Sequence, residues 1–273
     1  MSKSDIPTNI WLIGCGNMAG AMLRQWVASG DVSPDQVTVI DPGKPQIPDG
    51  VRHLESAPDD GSMPDALMLG VKPQMLDDVA QGLAPRVKGV KLILSILAGV
   101  EVAAIAKRFE ADAVVRVMPN LPVGLGKGVV LLNGADPDSG PGKAAEALMQ
   151  SLGLVEWIEK ESLFDAGTAL SGCGPGFVFR FIDAFAQAGV AVGLPEDQAR
   201  RLATATVDGA SQMAAEADET PGVLADRVAS PGGSTREGMN VLDDSDSLNK
   251  LMAKTLTASR DRNQELAAAA RGE

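Results

Sequence analysis

The sequence holds one histidine, His53, and two cysteines, Cys15 and Cys173, in 273 residues. Two cysteines outside a CxxC spacing build neither a disulfide framework nor a Cys-rich metal centre. A single histidine excludes most zinc sites and every Ser/His/Asp or Cys/His triad not built on His53, which the pattern places in a polar loop. Residues 1–9 are polar and carry no long apolar leader, so a cytoplasmic, reducing location is expected. Tandem repeats and low-complexity tracts are missing too. Positive charge is in short supply: 24 Lys+Arg against 36 Asp+Glu give a net −12. A chain this acidic repels phosphate backbones and anionic lipid, so neither nucleic acid nor a membrane is an expected partner. Segment 166–194 is apolar enough to raise the membrane question. It also contains Arg180, Asp183 and Gln187, which are costly in lipid, and reads as a helix buried in a protein or subunit core.

The remaining composition, 45% hydrophobic and 22% charged, is that of a globular protein with room for about two domains and a sizeable core. Short apolar, β-branched runs occur at 9–13, 37–40, 66–71, 92–96, 114–117 and 129–132. Helical spacing fills most of the gaps, at 17–29, 74–83 and 100–109. Buried runs separated by helices predict βαβ units and a mostly parallel sheet. Beyond residue 161 the strands stop. Ala-rich amphipathic stretches follow at 164–189, 195–217, 221–229, 235–242 and from 247 onward. The expected fold is therefore α/β: a Rossmann-type parallel-sheet domain over 1–160, then an all-helical domain over 161–273. Small apolar residues and few aromatics suit those helices to tight packing and a subunit interface.

Gly14-Cys15-Gly16-Asn17-Met18-Ala19 is G-x-G-x-x-A between a predicted strand and a predicted helix. The first glycine permits the tight turn, the second lets backbone approach a pyrophosphate, and the small sixth residue allows close helix–strand packing. The helix N-terminus adds free N–H groups and partial positive charge. In this context the motif predicts dinucleotide binding. Asp41, at the end of the second run, is placed to accept a ribose 2′-OH, as in NAD enzymes. Lys44 stands close enough in sequence to pair with a 2′-phosphate, and Asp41 is equally a turn former in Asp-Pro-Gly. Farther along, Ser234-Thr235-Arg236-Glu237 has capping-box spacing, which predicts a helix start preceded by the flexible pair Gly232-Gly233.

Further motifs complete the pattern: Gly70-Val71-Lys72-Pro73-Gln74, Ser95 to Val100 (SILAGV), Arg116-Val117-Met118-Pro119-Asn120, Leu170 to Phe179 (LSGCGPGFVF), Gly193-Leu194-Pro195, and Ser230 to Thr235 (SPGGST). Taken in order over almost the whole chain, they resemble the pyrroline-5-carboxylate reductases, the last enzymes of proline synthesis. The resemblance implies reduction of the cyclic imine Δ1-pyrroline-5-carboxylate to L-proline by hydride from NADPH, with NADH possible. It implies a helical dimerisation domain, a homodimer and larger oligomers built from dimers. Gly70, Val71, Lys72 and Pro73, and the turn at Leu97-Ala98, then lie along the cofactor with the glycine loop. Glu161, Ser234 and Thr235 match positions that meet substrate. Gly232 and Gly233, leading into a helix N-terminus, suit the substrate carboxylate. Thr235 is the expected catalytic residue, its hydroxyl bonding the ring nitrogen to orient it or pass a proton. The chain departs from the family pattern at Leu121 (usually Thr), Cys173 (Ser), Gly176 (Ala) and Phe177 (Tyr). Alternatives are a related imine or β-hydroxyacid reductase, or a non-catalytic NAD(P) sensor. No Lys occurs between Phe164 and Ala191, where β-hydroxyacid enzymes usually carry a catalytic one.

Overall fold

The computed structural model describes residues 3–271. Met1, Ser2, Gly272 and Glu273, at the ends of the two expected domain ranges, lie outside the described residues. The chain divides into two compact units. One runs to Cys173 and takes in the chain again from Ser259; the other is Gly174–Ala258.

The first unit is built on an eight-stranded sheet of order β3-β2-β1-β4-β5-β6-β7-β8. Its strands are β1 (Ile10–Ile13), β2 (Val37–Ile40), β3 (Arg52–Leu54), β4 (Ala66–Leu69), β5 (Val90–Ser95), β6 (Ala111–Pro119), β7 (Gly128–Asn133) and β8 (Gly153–Trp157). Every pairing is parallel except β6 with β7. Helices α1 (Asn17–Ser29), α2 (Leu76–Leu83), α3 (Val102–Ala106) and α4 (Gly140–Met149) cover its faces. Period-2 alternation explains both layers. Ile10 and Leu12 pack with Met22, Leu23 and Trp26 of α1. Trp11 and Ile13 pack with Leu76, Ala80 and Leu83 of α2. Strands covered on both faces are largely apolar, as in IWLI of β1 and ALML of β4, which is why the short runs stand out in the sequence.

Register lines up the carboxyl ends. Ile13 sits opposite Ile40 and Leu69, Leu69 opposite Ser95, and Ser95 opposite Arg116. The residues that follow, Gly14, Asp41, Gly70 and Ile96, therefore leave the sheet along one edge, where open α/β sheets bind ligands.

Two strands escape the sequence pattern. β3 has only three residues, and it carries His53 in an edge strand rather than a polar loop; the ring Nε2 lies 2.9 Å from the Asp41 carbonyl oxygen. β8 is half exposed and lacks a continuous apolar run. The stretch expected as one helical pattern over 164–189 is broken into α5 (Phe164–Gly167), a π-helical turn Thr168–Gly172, and α6 (Gly174–Ala191). In that turn the Cys173 N–H donates to the Thr168 carbonyl, five residues back.

The second unit contains α6, α7 (Glu196–Glu216), α8 (Pro221–Val228), α9 (Ser234–Asp243) and the beginning of α10 (Ser247–Arg271). In the single chain α6 buries none of its residues, and Val178, Phe179, Phe181 and Phe185 are exposed. No helix among the described residues is long and apolar enough to cross a membrane.

Candidate active site

A cavity of about 550 Å³ opens at the carboxyl edge of the first unit's sheet. Gly14, Gly16, Asp41, Gly70, Val71 and Lys72 contribute to its wall, with Glu55 and Arg86 farther round. Cys15, Asn17, Met18 and Ala19 form the loop and first helical turn beside it without contributing to the wall, and Pro73 starts a 3-10 turn (Pro73–Met75) after Lys72. Leu97 and Ala98 sit on the neighbouring turn, with Leu97 buried and Ala98 exposed.

The glycines have separate physical reasons. Gly14 has φ +81°, and a Cβ there would fall 2.7 Å from Val71 Cγ1; at Gly70 it would fall 2.7 Å from the Gly14 carbonyl oxygen. These two glycines let the ends of β1 and β4 cross closely. Gly16 is different: a Cβ would meet nothing within 4 Å. Gly16 is also the N-cap of α1, with no side-chain cap bond. Open space above a glycine, facing uncapped helix N–H groups, fits a dinucleotide pyrophosphate.

Asp41 fixes this loop. Its Oδ2 accepts the Cys15 N–H at 2.8 Å and its Oδ1 accepts the Gly43 N–H at 2.8 Å. The residue is thus a turn former and also a clamp on the glycine loop. Burial, and then the adjacent Asp41 charge, push the Cys15 thiol up from its ordinary value, against a smaller pull from Arg24. At neutral pH it is a protonated packing residue, not a nucleophile.

Glu161 lies in the first unit. Its Oε1 accepts both Arg116 Nη1 at 2.9 Å and the Val102 N–H at 3.0 Å. Arg116 is only 5% exposed, and its guanidinium sits 4.2 Å from the centre of the Phe164 ring. Asn120 is also buried; its Nδ2 donates to the Ser171 carbonyl and its Oδ1 accepts the Val129 N–H, both at 2.9 Å. The sequence assigns Arg116 and Asn120 no functional role of their own, although an Arg inside the buried run VVRV signals a charge that needs a partner.

In the second unit, Gly232 has φ +71° and the Gly233 N–H donates to the Ser230 carbonyl at 2.9 Å. The expected capping box does not form. Gly233 is the N-cap of α9 and makes no side-chain cap bond. Its carbonyl already accepts the Glu237 N–H at 3.2 Å, so Ser234 is the first helical residue rather than the cap. Ser234 and Thr235 are exposed on the first turn. Arg227, at the end of α8, pairs with Glu219.

Comparison with known proteins supplies the family. Residues 161–266 match the family model described as pyrroline-5-carboxylate reductase dimerisation. Residues 9–99 match the model described as NADP oxidoreductase, coenzyme F420-dependent. The pyrroline-5-carboxylate reductase of Glycine max is 35% identical over 260 residues, covering 93% of this chain and 94% of the relative. The chain belongs to the pyrroline-5-carboxylate reductase family. The enzyme of that name from Methanosarcina acetivorans is 34% identical, covering 94% and 97% of the two chains. Among solved structures, the reductase of Coxiella burnetii aligns with TM-score 0.86 at 31% identity, over 95% of this chain and 98% of that one. The Plasmodium falciparum pyrroline carboxylate reductase, solved with NADP bound, aligns with TM-score 0.82 at 25% identity, over 95% and 98%.

Proposed function

We propose that this chain reduces Δ1-pyrroline-5-carboxylate to L-proline with NAD(P)H. The observation that carries the reading is the glycine loop of the Rossmann unit, open above Gly16 and uncapped at α1, in a chain whose similarity to this family covers nearly its whole length. Bound along Gly14 to Ala19, NAD(P)H would supply a hydride from the nicotinamide ring. The chain's own work is positioning. Gly14 makes the tight turn, Gly16 admits the pyrophosphate, Asp41 holds the loop, and Gly70 to Pro73 and the Leu97-Ala98 turn follow the cofactor toward its reactive end. The uncapped first turn of α9, entered through Gly232-Gly233, suits the substrate carboxylate.

Substrate arrives as a C=N bond, and its protonated form takes hydride directly to give the secondary amine, so no strong protein acid is required. Thr235 Oγ1 accepts from or donates to the ring nitrogen and fixes the face presented to hydride. Most of the acceleration then comes from holding the two rings in register. NADPH is the proposed preferred form. The apolar faces of α6 and α10, with the dimerisation match over 161–266, support a homodimer or a larger assembly of dimers. The cytoplasm is the proposed location. Adding pyrroline-5-carboxylate to the protein with NADPH should consume the reduced nicotinamide and release proline in equal amounts. Cofactor consumption with a β-keto or aldehyde acid but none with the imine would replace this reading by a hydroxyacid one.

A further inference from the structure

The turn Leu97–Val100 is held from three sides. At its start the Ile96 N–H donates to the Leu69 carbonyl at the end of β4 at 3.1 Å, and the Val100 N–H closes the turn on the Leu97 carbonyl at 3.3 Å. Behind the turn, the first N–H of α3, that of Val102, is taken by Glu161 rather than by a cap of its own. On its outer side, Gly99 has φ +74°, and a Cβ there would lie 3.3 Å from Ala267 Cα on α10. Gly99 therefore lies against the α10 backbone at Ala267 with no room for a side chain between them.

Glu161 carries two loads on one oxygen. It neutralises a guanidinium buried in the sheet and it caps the helix that follows the turn. Burying Arg116 is costly unless it keeps a partner, so its side chain, 6% exposed, holds the partly exposed Glu161 carboxylate beside it. The Val102 N–H, and the turn ahead of it, are set by that carboxylate. The turn stands at the carboxyl end of β5, beside the β4 end that walls the cavity.

We propose that Glu161 is a positioning residue for the cofactor, acting through the Leu97–Val102 segment, and not a substrate contact; Ala267 positions the same turn from the opposite side. The assignment rests on the functional reading above, in which this turn follows the cofactor. It makes the C-terminal end of α10 part of the cofactor site's support.

The test measures the NADPH dissociation constant without substrate, and then KM for pyrroline-5-carboxylate at saturating NADPH, for wild type, Glu161→Ala, Glu161→Gln and Ala267→Leu. Glu161→Ala and Ala267→Leu should each weaken NADPH roughly tenfold, because a displaced turn misplaces the ring. The imine KM should stay within about twofold. Glu161→Gln keeps an oxygen for the Val102 N–H and should recover part of the loss. An unchanged NADPH constant with a raised imine KM in Glu161→Ala overturns the assignment and makes Glu161 a substrate contact. If Glu161→Ala does not fold, Glu161→Gln and Ala267→Leu decide together, since wild-type NADPH affinity in both would overturn the proposal. Wild-type turnover is read first, so a failed functional reading appears as an inactive wild type, and a failed positioning role as variants that match it.

Discussion

At Gly16 the backbone leaves room that the fold itself does not use, and this separates binding from stability at one residue. A Cβ there meets no protein atom within 4 Å, so Gly16→Val should keep the fold, losing no more than about 1 kcal/mol for a β-branched residue at the α1 N-cap. Its side chain would occupy the proposed pyrophosphate position, and NADPH affinity should fall by about 100-fold or more by fluorescence titration. Retained affinity would remove the glycine loop from the site. Gly14→Ala behaves oppositely: a positive φ and the contact with Val71 make it a folding defect first. Asp41 tests the cofactor preference. Both of its oxygens hold backbone N–H groups, so its role in the loop is fixed, yet its charge stays beside the cavity. The ratio kcat/KM should be higher with NADPH than with NADH. A tenfold preference for NADH, about 1.4 kcal/mol in transition-state binding, would make the Asp41 carboxylate the determinant instead. Thr235→Ala should lower kcat with NADPH affinity unchanged. A loss of about 100-fold would indicate proton transfer, a few-fold loss orientation only, and wild-type turnover would move the substrate elsewhere.

Elements show which parts of the fold the sequence could carry. Parallel strands buried on both faces leave contiguous apolar runs, so β1, β2, β4 and β5 are legible to within two residues at either end. β3 and β8 are not, because an edge strand of three residues and a half-exposed strand leave no period to read. At α9, Ser-x-x-Glu spacing misplaces the cap by one residue, since Gly233 supplies the extended backbone and the first acceptor without a side chain. The motifs around Arg116 and Asn120 are visible as motifs but not as contacts, for their partners lie 45 and 51 residues away. Asn120 ties β6 and β7 to the π-helical turn. Asn120→Ala should therefore destabilise the protein by about 2–3 kcal/mol, through a Val129 N–H and a Ser171 carbonyl left without their partner. Chemical denaturation measures it, and a change under about 0.5 kcal/mol would show that water replaces both bonds.

For the molecule as a whole, the helical unit cannot be understood as a free surface. α6 displays Val178, Phe179, Phe181 and Phe185 outward, with the last two rings stacked at 5.8 Å, and α10 adds Leu248, Leu251 and Met252. An apolar face of this extent calls for a second copy, and light scattering should give at least twice the chain mass. Phe179→Glu should lower that mass or raise its concentration dependence, whereas an unaffected monomer in wild type would leave those helices without a role. The central claim is that reduced nicotinamide delivers hydride to an imine carbon held by this chain. Its most direct test uses NADPH deuterated on the transferable position of the nicotinamide ring, with pyrroline-5-carboxylate as acceptor and mass spectrometry of the product. Proline should carry one deuterium on Cδ, the former imine carbon, formed in step with cofactor oxidation; unlabelled proline, label on Cα, or no proline while the cofactor binds normally, would contradict hydride transfer to the imine.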